Sequence, residues 1–334
     1  MEEVKGVAEM SWAQKARVNW LKEGDNNTKF FHACVNIRRR KNKISRLQRR
    51  DGSWCENKEQ IGMQVAEYYR ELFTTNNPSE YGEILDGISR KIIDQMNRSL
   101  IRNVTEAEIR KALFAMHPHK APGPDGRFPL FFQKFWNIVK REVIDLVRQF
   151  IKGNFLPKAT NETLVTLIPK NDAPINVNQF RPISLCNVVY KIIAKILINR
   201  MKPLLPNCIN PAQSVFIPSR QIVDNIILAQ ESIHHRNNKR RGKNGYRAMK
   251  LDMSKAYDRV KWNFIAAVMA KMGFCPIWIK WIITCLNSVS FSFNINGDKK
   301  GYVVPSRGIR QGTPYPLTFS LSVLKASVVS LTKP

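Results

Sequence analysis

One aspartate in this chain stands where metal chemistry would place it. Residues 247–253 alternate in the manner of a β-strand, and Asp252 comes at the end of that alternation, inside the string Lys250-Leu-Asp-Met-Ser-Lys-Ala-Tyr-Asp258. Carboxylate oxygens are the ligands that Mg²⁺ prefers. Phosphoryl transfer with two metal ions needs several carboxylates converging on cations about 3.5–4 Å apart. Asp252 alone supplies only part of such a site.

The other carboxylates of a two-metal site are missing from the sequence. The last acidic residue is Asp298, and no Asp-Asp pair occurs anywhere in the 334 residues. A structural alternative also fits the spacing, in which Asp252 caps a turn at Ser254 and Tyr257 is an aromatic of the core. The residues by themselves leave both alternatives open. We expect Asp258 to brace the turn rather than to bind metal.

The composition predicts a folded protein with a polyanionic partner. Hydrophobic residues make up 43% of the chain, and 54 Lys and Arg against 26 Asp and Glu give a formal net charge of +28. Nucleic acid is the first candidate partner and an anionic membrane surface the second. We find neither a signal peptide nor about eighteen consecutive apolar residues, so no membrane association is predicted. The six cysteines form no Cys-x-x-Cys pair, which argues against zinc and favours reduced thiols in the nucleus or cytoplasm.

Two basic clusters are the candidate nucleic-acid contacts. The first comprises Arg38, Arg39, Arg40, Lys41, Lys43 and Arg46, and the second comprises Lys239, Arg240 and Arg241. Both would bind phosphates without regard to base sequence. A nuclear localisation signal and a solvated loop are open alternatives. Ile44, Leu47, the Asp51-Gly52 turn and Trp54 predict a pair of strands in the first cluster, so that its charge lies on an ordered element.

Helical and strand patterns alternate along the chain, which predicts the α+β class. Apolar spacing predicts a helix over residues 60–73, ended by a turn at 74–78, and Thr105 with Glu108 forms a predicted capping box. Further helices are predicted at 129–151, 187–205, 219–236, 261–272 and 276–287, and strands at 164–168, 247–253, 291–295 and 302–305.

Five motifs in collinear order resemble the reverse transcriptase region of plant non-LTR (LINE-type) retrotransposons. They are Lys120-Ala-Pro-Gly-Pro-Asp-Gly126, the pair Leu167-Ile-Pro-Lys170 with Phe180-Arg-Pro-Ile-Ser-Leu-Cys-Asn187, the block 213–225, the string 250–262 and Gly308-Ile-Arg-Gln-Gly312. Residues 12–73 also resemble the segment between endonuclease and polymerase in these elements. The resemblance implies an RNA-directed DNA polymerase, a nucleotidyltransferase that uses Mg²⁺, an RNA template, a DNA primer and deoxynucleoside triphosphates.

The resemblance also assigns roles. It implies a fingers and partial palm fold with a helical and hairpin extension, and Mg²⁺ held by the carboxylate of Asp252 and the carbonyl of Met253. Lys170 and Arg181, each beside a proline, would contact the triphosphate. Tyr257 would lie against the sugar, and Gln311 with Gly312 would pass close to the nucleotide. Read without the motif order, Lys170 and Arg181 are solvated surface residues and Arg310-Gln-Gly312 is a simple turn.

The chain departs from the family in two places. Thr313-Pro-Tyr-Pro316 replaces the Asp-Pro-x-Ser-Pro pattern, and the chain ends at Pro334 before the Ala-Asp-Asp hairpin and the thumb. We therefore expect residues 1–78 to be a basic extension and 79–334 a truncated polymerase domain without activity and with low solubility. A non-catalytic nucleic-acid-binding remnant is the rival interpretation. An organellar intron maturase is a second rival, disfavoured by the loop at 120–126 and the segment at 12–73.

Overall fold

The computed structural model describes residues 28–75, 81–153, 155–208, 221–238 and 254–310. These residues form a mixed helix and sheet structure, in agreement with the predicted α+β class. The helices are α1 Thr28–Asn42, α2 Lys58–Phe73, α3 Gly82–Asp86, α4 Asp94–Ile101, α5 Glu106–Phe114, α6 Pro129–Lys134, α7 Trp136–Gly153, α8 Lys158–Asn161, α9 Val188–Met201, α10 Leu205–Cys208, α11 Ile222–Asn238, α12 Ala256–Arg259, α13 Trp262–Met272 and α14 Pro276–Asn287.

A four-stranded sheet organises the described part of the chain. Its strands are β3 Glu162–Pro169, β4 Phe180–Cys186, β5 Ser290–Ile295 and β6 Asp298–Val303, in the order β4-β3-β5-β6. β3 pairs antiparallel with β4 and parallel with β5. Alternate residues of β3 are buried, which leaves the opposite face of this strand partly open. A smaller sheet pairs β1 Leu47–Gln48 with β2 Trp54–Cys55, so the strand pair predicted in the first basic cluster is confirmed.

A two-residue turn closes the β5–β6 hairpin. Asn296 and Gly297 both have positive φ, 54° and 101°, as a type I′ turn requires. The Asn296 side chain also binds both backbone groups of Ile44, accepting from its N–H at 2.9 Å and donating to its carbonyl at 2.8 Å. The second strand begins at Asp298, before the predicted position of 302, because the Asn-Gly pair allows an immediate reversal.

The buried hydrophobic residues form two clusters. The larger is mainly helical and contains α9, α13 and α14 with the fully buried Trp278. The smaller joins α2 to β3, β5 and β6, where Tyr69 stacks on Phe293 with ring centroids 5.0 Å apart. Residues on both sides of position 78 therefore share this second core. The division of the chain into domains at residue 78 stays a prediction.

The structure differs from three of the local predictions. The expected helix at 129–151 is two helices, because the backbone leaves helical geometry at Phe135 (φ −102°, ψ 23°). Thr105 caps α5 by accepting from the Glu108 N–H at 3.2 Å, as predicted. The Glu108 carboxylate, however, accepts two hydrogen bonds from Arg200 of α9, each 2.8 Å. Residues 38–42, expected with the strand pair, form the last turns of α1.

Candidate nucleic-acid interface

A groove of about 1020 Å³ lies between α1, the loop at 117–128 and the open side of the sheet. β3 contributes residues 166–168, β5 contributes Asn294, and the β5–β6 turn contributes Asn296 and Gly297. Its basic lining consists of Arg38, Arg39, Arg40, Lys43, Lys58 and His119. No Asp or Glu is among the described residues that line it. The groove therefore has the charge that a phosphate backbone requires.

The cations of the groove differ in how much of their charge is compensated. Lys58 pairs with Asp298 at 2.7 Å. Arg39, Arg40 and Lys43 form no ion pair with any acidic residue in the part of the chain that the structure describes. All three side chains belong to exposed residues. Their guanidinium and ammonium groups are available to an anion that enters the groove.

Contacts from the second half of α1 and from the residues just after it hold this helix over the sheet. Val35 is buried, and the Ile44 backbone is held by Asn296. Lys41 pairs at 2.8 Å with Asp172, in the loop between β3 and β4. Because both members of that pair are exposed, it contributes little stability. The burial of Val35 and the Asn296 contacts therefore contribute more than this ion pair to holding α1 over the groove.

Lys170 and Arg181 lie near the tip of the β3–β4 pair. Arg181 is directly opposite Ile168, which lines the groove, and directly opposed residues share a face of the sheet. Lys170 follows Ile168 by two residues and so continues the same face. Both residues are exposed, and the Lys170 ammonium donates to the Asn178 carbonyl at 2.9 Å. The structure thus brings the two predicted triphosphate contacts to the groove side of the sheet.

The loop at 120–126 is pinned against the start of α9. A Cβ added at Gly123 would lie 2.1 Å from Asn187 Oδ1 and 2.4 Å from its backbone nitrogen. Asn187 Oδ1 accepts from the Asp125 N–H at 3.2 Å, and Lys191 donates to the Ala121 carbonyl at 2.9 Å. Burial lowers the pKa of Lys191 below its usual value. These contacts explain why the loop contains a glycine at 123 and why its wall of the groove is fixed.

A buried arginine that the sequence analysis left without a role organises the base of the β3–β4 pair. Arg310 is 6% exposed, and its guanidinium donates to Asn161 Oδ1 at 2.6 Å, Thr163 Oγ1 at 3.0 Å and the Cys285 carbonyl at 3.1 Å. It also lies 3.9 Å from the centre of the Tyr190 ring. Burial raises the pKa of the Cys285 thiol to about 12, so this neighbour is neutral at physiological pH.

The residues leading to Gln311 pack against the segment that contains Tyr257. The Ile309 N–H donates to the Tyr257 carbonyl at 2.8 Å, and the Gly308 N–H donates to the Val260 carbonyl at 2.7 Å. Gly308 has φ +92°, and an added Cβ would meet the Asp258 carbonyl oxygen at 2.7 Å. Tyr257 itself is half-buried and is not among the described lining residues of the groove. Asp258 is buried, and its N–H closes the turn on the Lys255 carbonyl at 3.0 Å.

Several predicted site residues lie outside the described ranges. They are Asp252, Met253, Gln311, Gly312, Lys239, Arg240 and Arg241. Within those ranges, no group of three or more His, Cys, Asp or Glu could hold a metal ion. No described helix is both long and apolar enough to cross a membrane. Arg46 lies within the described ranges. Its guanidinium stacks on Trp54, 4.4 Å from the ring centre, and it is not among the residues that line the groove.

Comparison with known proteins supports the resemblance to reverse transcriptases. Residues 168–327 match the family model described as reverse transcriptase (RNA-dependent DNA polymerase). The chain is 28% identical over 302 residues, 90% of its length, to the transposon TX1 uncharacterized 149 kDa protein of Xenopus laevis. It is 28% identical over 261 residues, 76% of its length, to the retrovirus-related Pol polyprotein from the type-2 retrotransposable element R2DM of Drosophila melanogaster.

The matches cover most of this chain but only a small part of each relative. Each match covers 23% of the relative, so the chain spans about a quarter of the length of these two proteins. The frog match also takes in most of the segment before residue 168, where the family model does not reach. Residues 168–327 are thus similar to reverse transcriptases, and most of the chain is similar to proteins of a transposon and of a retrotransposable element.

Proposed function

We propose that this chain is the RNA-directed DNA polymerase region of a LINE-type element and that it holds a single-stranded RNA template in the groove. The observation that carries the proposal is the uncompensated positive charge of the groove beside the sheet face of Lys170 and Arg181. A strand tracking the groove would pass Arg39, Arg40 and Lys43 before it reaches that face. Attribution to a plant element rests on the sequence motifs alone.

The nucleotide contacts follow the motif assignments. Lys170 and Arg181 are exposed and share one face, as two cations that grip a single triphosphate should. Tyr257 supports the segment that precedes Gln311 and Gly312. We propose that Asp252 and the Met253 carbonyl hold Mg²⁺, which would supply the charge stabilisation that phosphoryl transfer needs. The DNA primer and the incoming deoxynucleotide complete the proposed set of partners.

We further propose that the chain as it stands does not polymerise. The sequence contains no Asp-Asp pair and no carboxylate after Asp298, so the charge of two cations cannot be held as two-metal transfer demands. Primer extension on an RNA template with Mg²⁺ tests this point. We expect no extended product, whereas extension that disappears in Asp252→Asn would overturn the proposed inactivity.

The second candidate function is a non-catalytic nucleic-acid-binding protein. The same groove favours it, because phosphate contacts need no metal and no reacting group. Binding of a labelled single-stranded RNA to the full chain, measured by fluorescence anisotropy at several salt concentrations, tests the part that both candidates share. Binding that falls steeply with salt is expected, and binding that is weak or independent of salt would contradict both.

A further inference from the structure

Helix α6 and the residue that follows it expose two aromatic rings, four residues apart in the sequence. Phe131 and Phe135 are 38% and 41% exposed, and their ring centroids are 5.4 Å apart. The intervening Phe132 is buried and meets Phe131 edge-on at 5.3 Å. Exposed phenylalanine side chains leave apolar area in contact with water, and a fixed pair of them offers that area to a ligand. We call Phe131 and Phe135 the aromatic platform.

The platform is rigid because its helix is tied to its surroundings. The Leu130 N–H donates to the Pro118 carbonyl at 3.1 Å, and the Gln133 side chain donates to the carbonyls of Leu113 and Met116 at 3.1 and 3.0 Å. The loop before it is pinned through Asp125 on Asn187. Rings held in this way lose little conformational entropy when a ligand stacks on them.

The platform continues the wall of the groove. Phe128 lines the groove, and the Phe131 N–H donates to the Phe128 carbonyl at 3.1 Å, so the platform begins one turn further along the chain. A strand leaving the groove past Phe128 would meet the two rings next. No lining residue of the groove lies on α6 itself. The rings thus extend the surface beyond its most charged part.

Positive charge flanks the rings. The Arg127 guanidinium lies over Phe131 at 5.6 Å from the ring centre, and Lys134 is exposed on the same helix. Aromatic rings for bases combined with cations for phosphates are the features by which proteins hold single-stranded nucleic acid without sequence preference. An apolar segment of a protein partner would gain nothing from Arg127 and Lys134. The charge therefore favours a polyanion over a protein.

We propose that Phe131 and Phe135 stack unpaired bases of a single strand whose phosphates lie in the groove. This proposal rests on the proposed function, since it assigns the platform to the same nucleic acid. It adds a contribution to binding that depends on the bases and not on charge. The two contributions can be separated by changing either the protein or the oligonucleotide.

The test measures binding of two single-stranded oligonucleotides of equal length to the full chain. One carries normal bases and the other carries abasic residues throughout its central part, so both present the same phosphates. Because stacking on one aromatic ring contributes about 1–3 kcal/mol per base, Phe131→Ala with Phe135→Ala should weaken binding of the normal strand roughly tenfold or more. Binding of the abasic strand should not change.

Two control variants make the outcomes distinct. Phe155→Ala removes a ring outside the platform that is even more exposed, at 65%, and should leave both affinities unchanged. Arg39→Ala with Arg40→Ala removes groove charge and should weaken both strands alike. If the platform variant binds both strands like the native chain, or loses both equally, the proposal is wrong. If the groove variant binds both strands like the native chain, the proposed function fails, and the placement of the phosphates in the groove fails with it, whereas selective loss of the normal strand in the platform variant would still show stacking.

Discussion

An arginine lies at each end of the β3–β4 pair, but one is exposed to solvent and the other is buried. At the tip, Arg181 is exposed beside a groove whose other arginines face solvent. At the base, Arg310 is buried and gives its hydrogen bonds to Asn161, Thr163 and Cys285. A guanidinium whose donors are already satisfied holds the fold together, whereas one exposed to water can bind a phosphate. Burial thus separates the structural arginine from the binding arginines.

The strongest test of this contrast removes each arginine in turn. Arg310→Met should lower the free energy of unfolding by about 3–5 kcal/mol, since several buried acceptors each lose a partner at about 1–3 kcal/mol. Arg181→Met should change it by less than about 0.5 kcal/mol, as surface substitutions do. Urea denaturation of the two variants measures both values. Equal losses would remove the distinction between the two ends.

The loop at 120–126, which is pinned against residues 186 and 187, should respond almost as strongly. In Gly123→Ala the new Cβ would meet backbone atoms of residues 186 and 187 at 2.5 and 2.4 Å, so the loop must move. We expect a loss of about 2–3 kcal/mol in the free energy of unfolding. Gly153→Ala is the matched control, because nothing lies within 4 Å of its added Cβ and alanine favours the helix by up to about 1 kcal/mol. A native-like Gly123→Ala variant would show that the loop is not fixed.

Arg200 is a second buried arginine, and its pair with Glu108 makes the free energy of unfolding depend on pH. Burial favours the neutral form of Glu108, but hydrogen bonds and charge from Arg200, with Arg102, outweigh it and hold the pKa of Glu108 below its usual value. Glu108→Gln should therefore cost about 2 kcal/mol at pH 7. The contribution of the pair is complete above the ordinary pKa of about 4.3 and is lost as the pH falls through the lowered folded value.

The pH dependence of this variant is measured by urea denaturation at neutral and acidic pH. The difference between Glu108→Gln and the native chain should shrink as the pH falls below 4, because the native carboxylate is then protonated as well. A difference that grows in acid would contradict the assignment. The exposed pair Arg90–Asp94 offers a control, since Asp94→Asn should change stability little at any pH.

The exposed end should show the smallest effects on stability and a measurable effect on binding. Lys170→Ala and Arg181→Ala should each weaken binding of a deoxynucleoside triphosphate by about fivefold, corresponding to about 1 kcal/mol for a solvent-exposed charged contact. Arg98→Ala removes an exposed arginine of α4, which is not part of the β3–β4 pair, and should have no effect. Isothermal titration with the triphosphate and Mg²⁺ distinguishes these outcomes. Equal weakening by all three variants would indicate binding to charge alone.

Local patterns predicted those elements whose determinants lie within a few residues. The helix Pro276–Asn287 and the strand Glu162–Pro169 follow from apolar spacing and from flanking prolines. The break at Phe135 was missed, because no glycine or proline marks it. The location of residues 38–42 on a helix was missed as well, since a run of cations carries no apolar period.

The candidate site was predictable only in part, because contacts distant in sequence assemble it. Lys170 and Arg181 were identified from a motif, and their common face follows from strand pairing. Arg310 lies in the recognised string 308–312, yet its partners Asn161 and Thr163 are 149 and 147 residues away along the chain. The groove likewise combines α1, the loop at 117–128 and the β5–β6 turn. No window of the sequence contains such a site.

The salt dependence of single-stranded RNA binding tests the central claim most directly. Each phosphate contact on a single strand contributes about 0.7 to the slope of log K against log salt concentration. The triple variant Arg39→Ala, Arg40→Ala and Lys43→Ala should therefore lower that slope by about 2 relative to the native chain, while its unfolding free energy stays within about 0.5 kcal/mol. An unchanged slope in a folded triple variant would contradict the account, because the groove would then contribute no phosphate contacts.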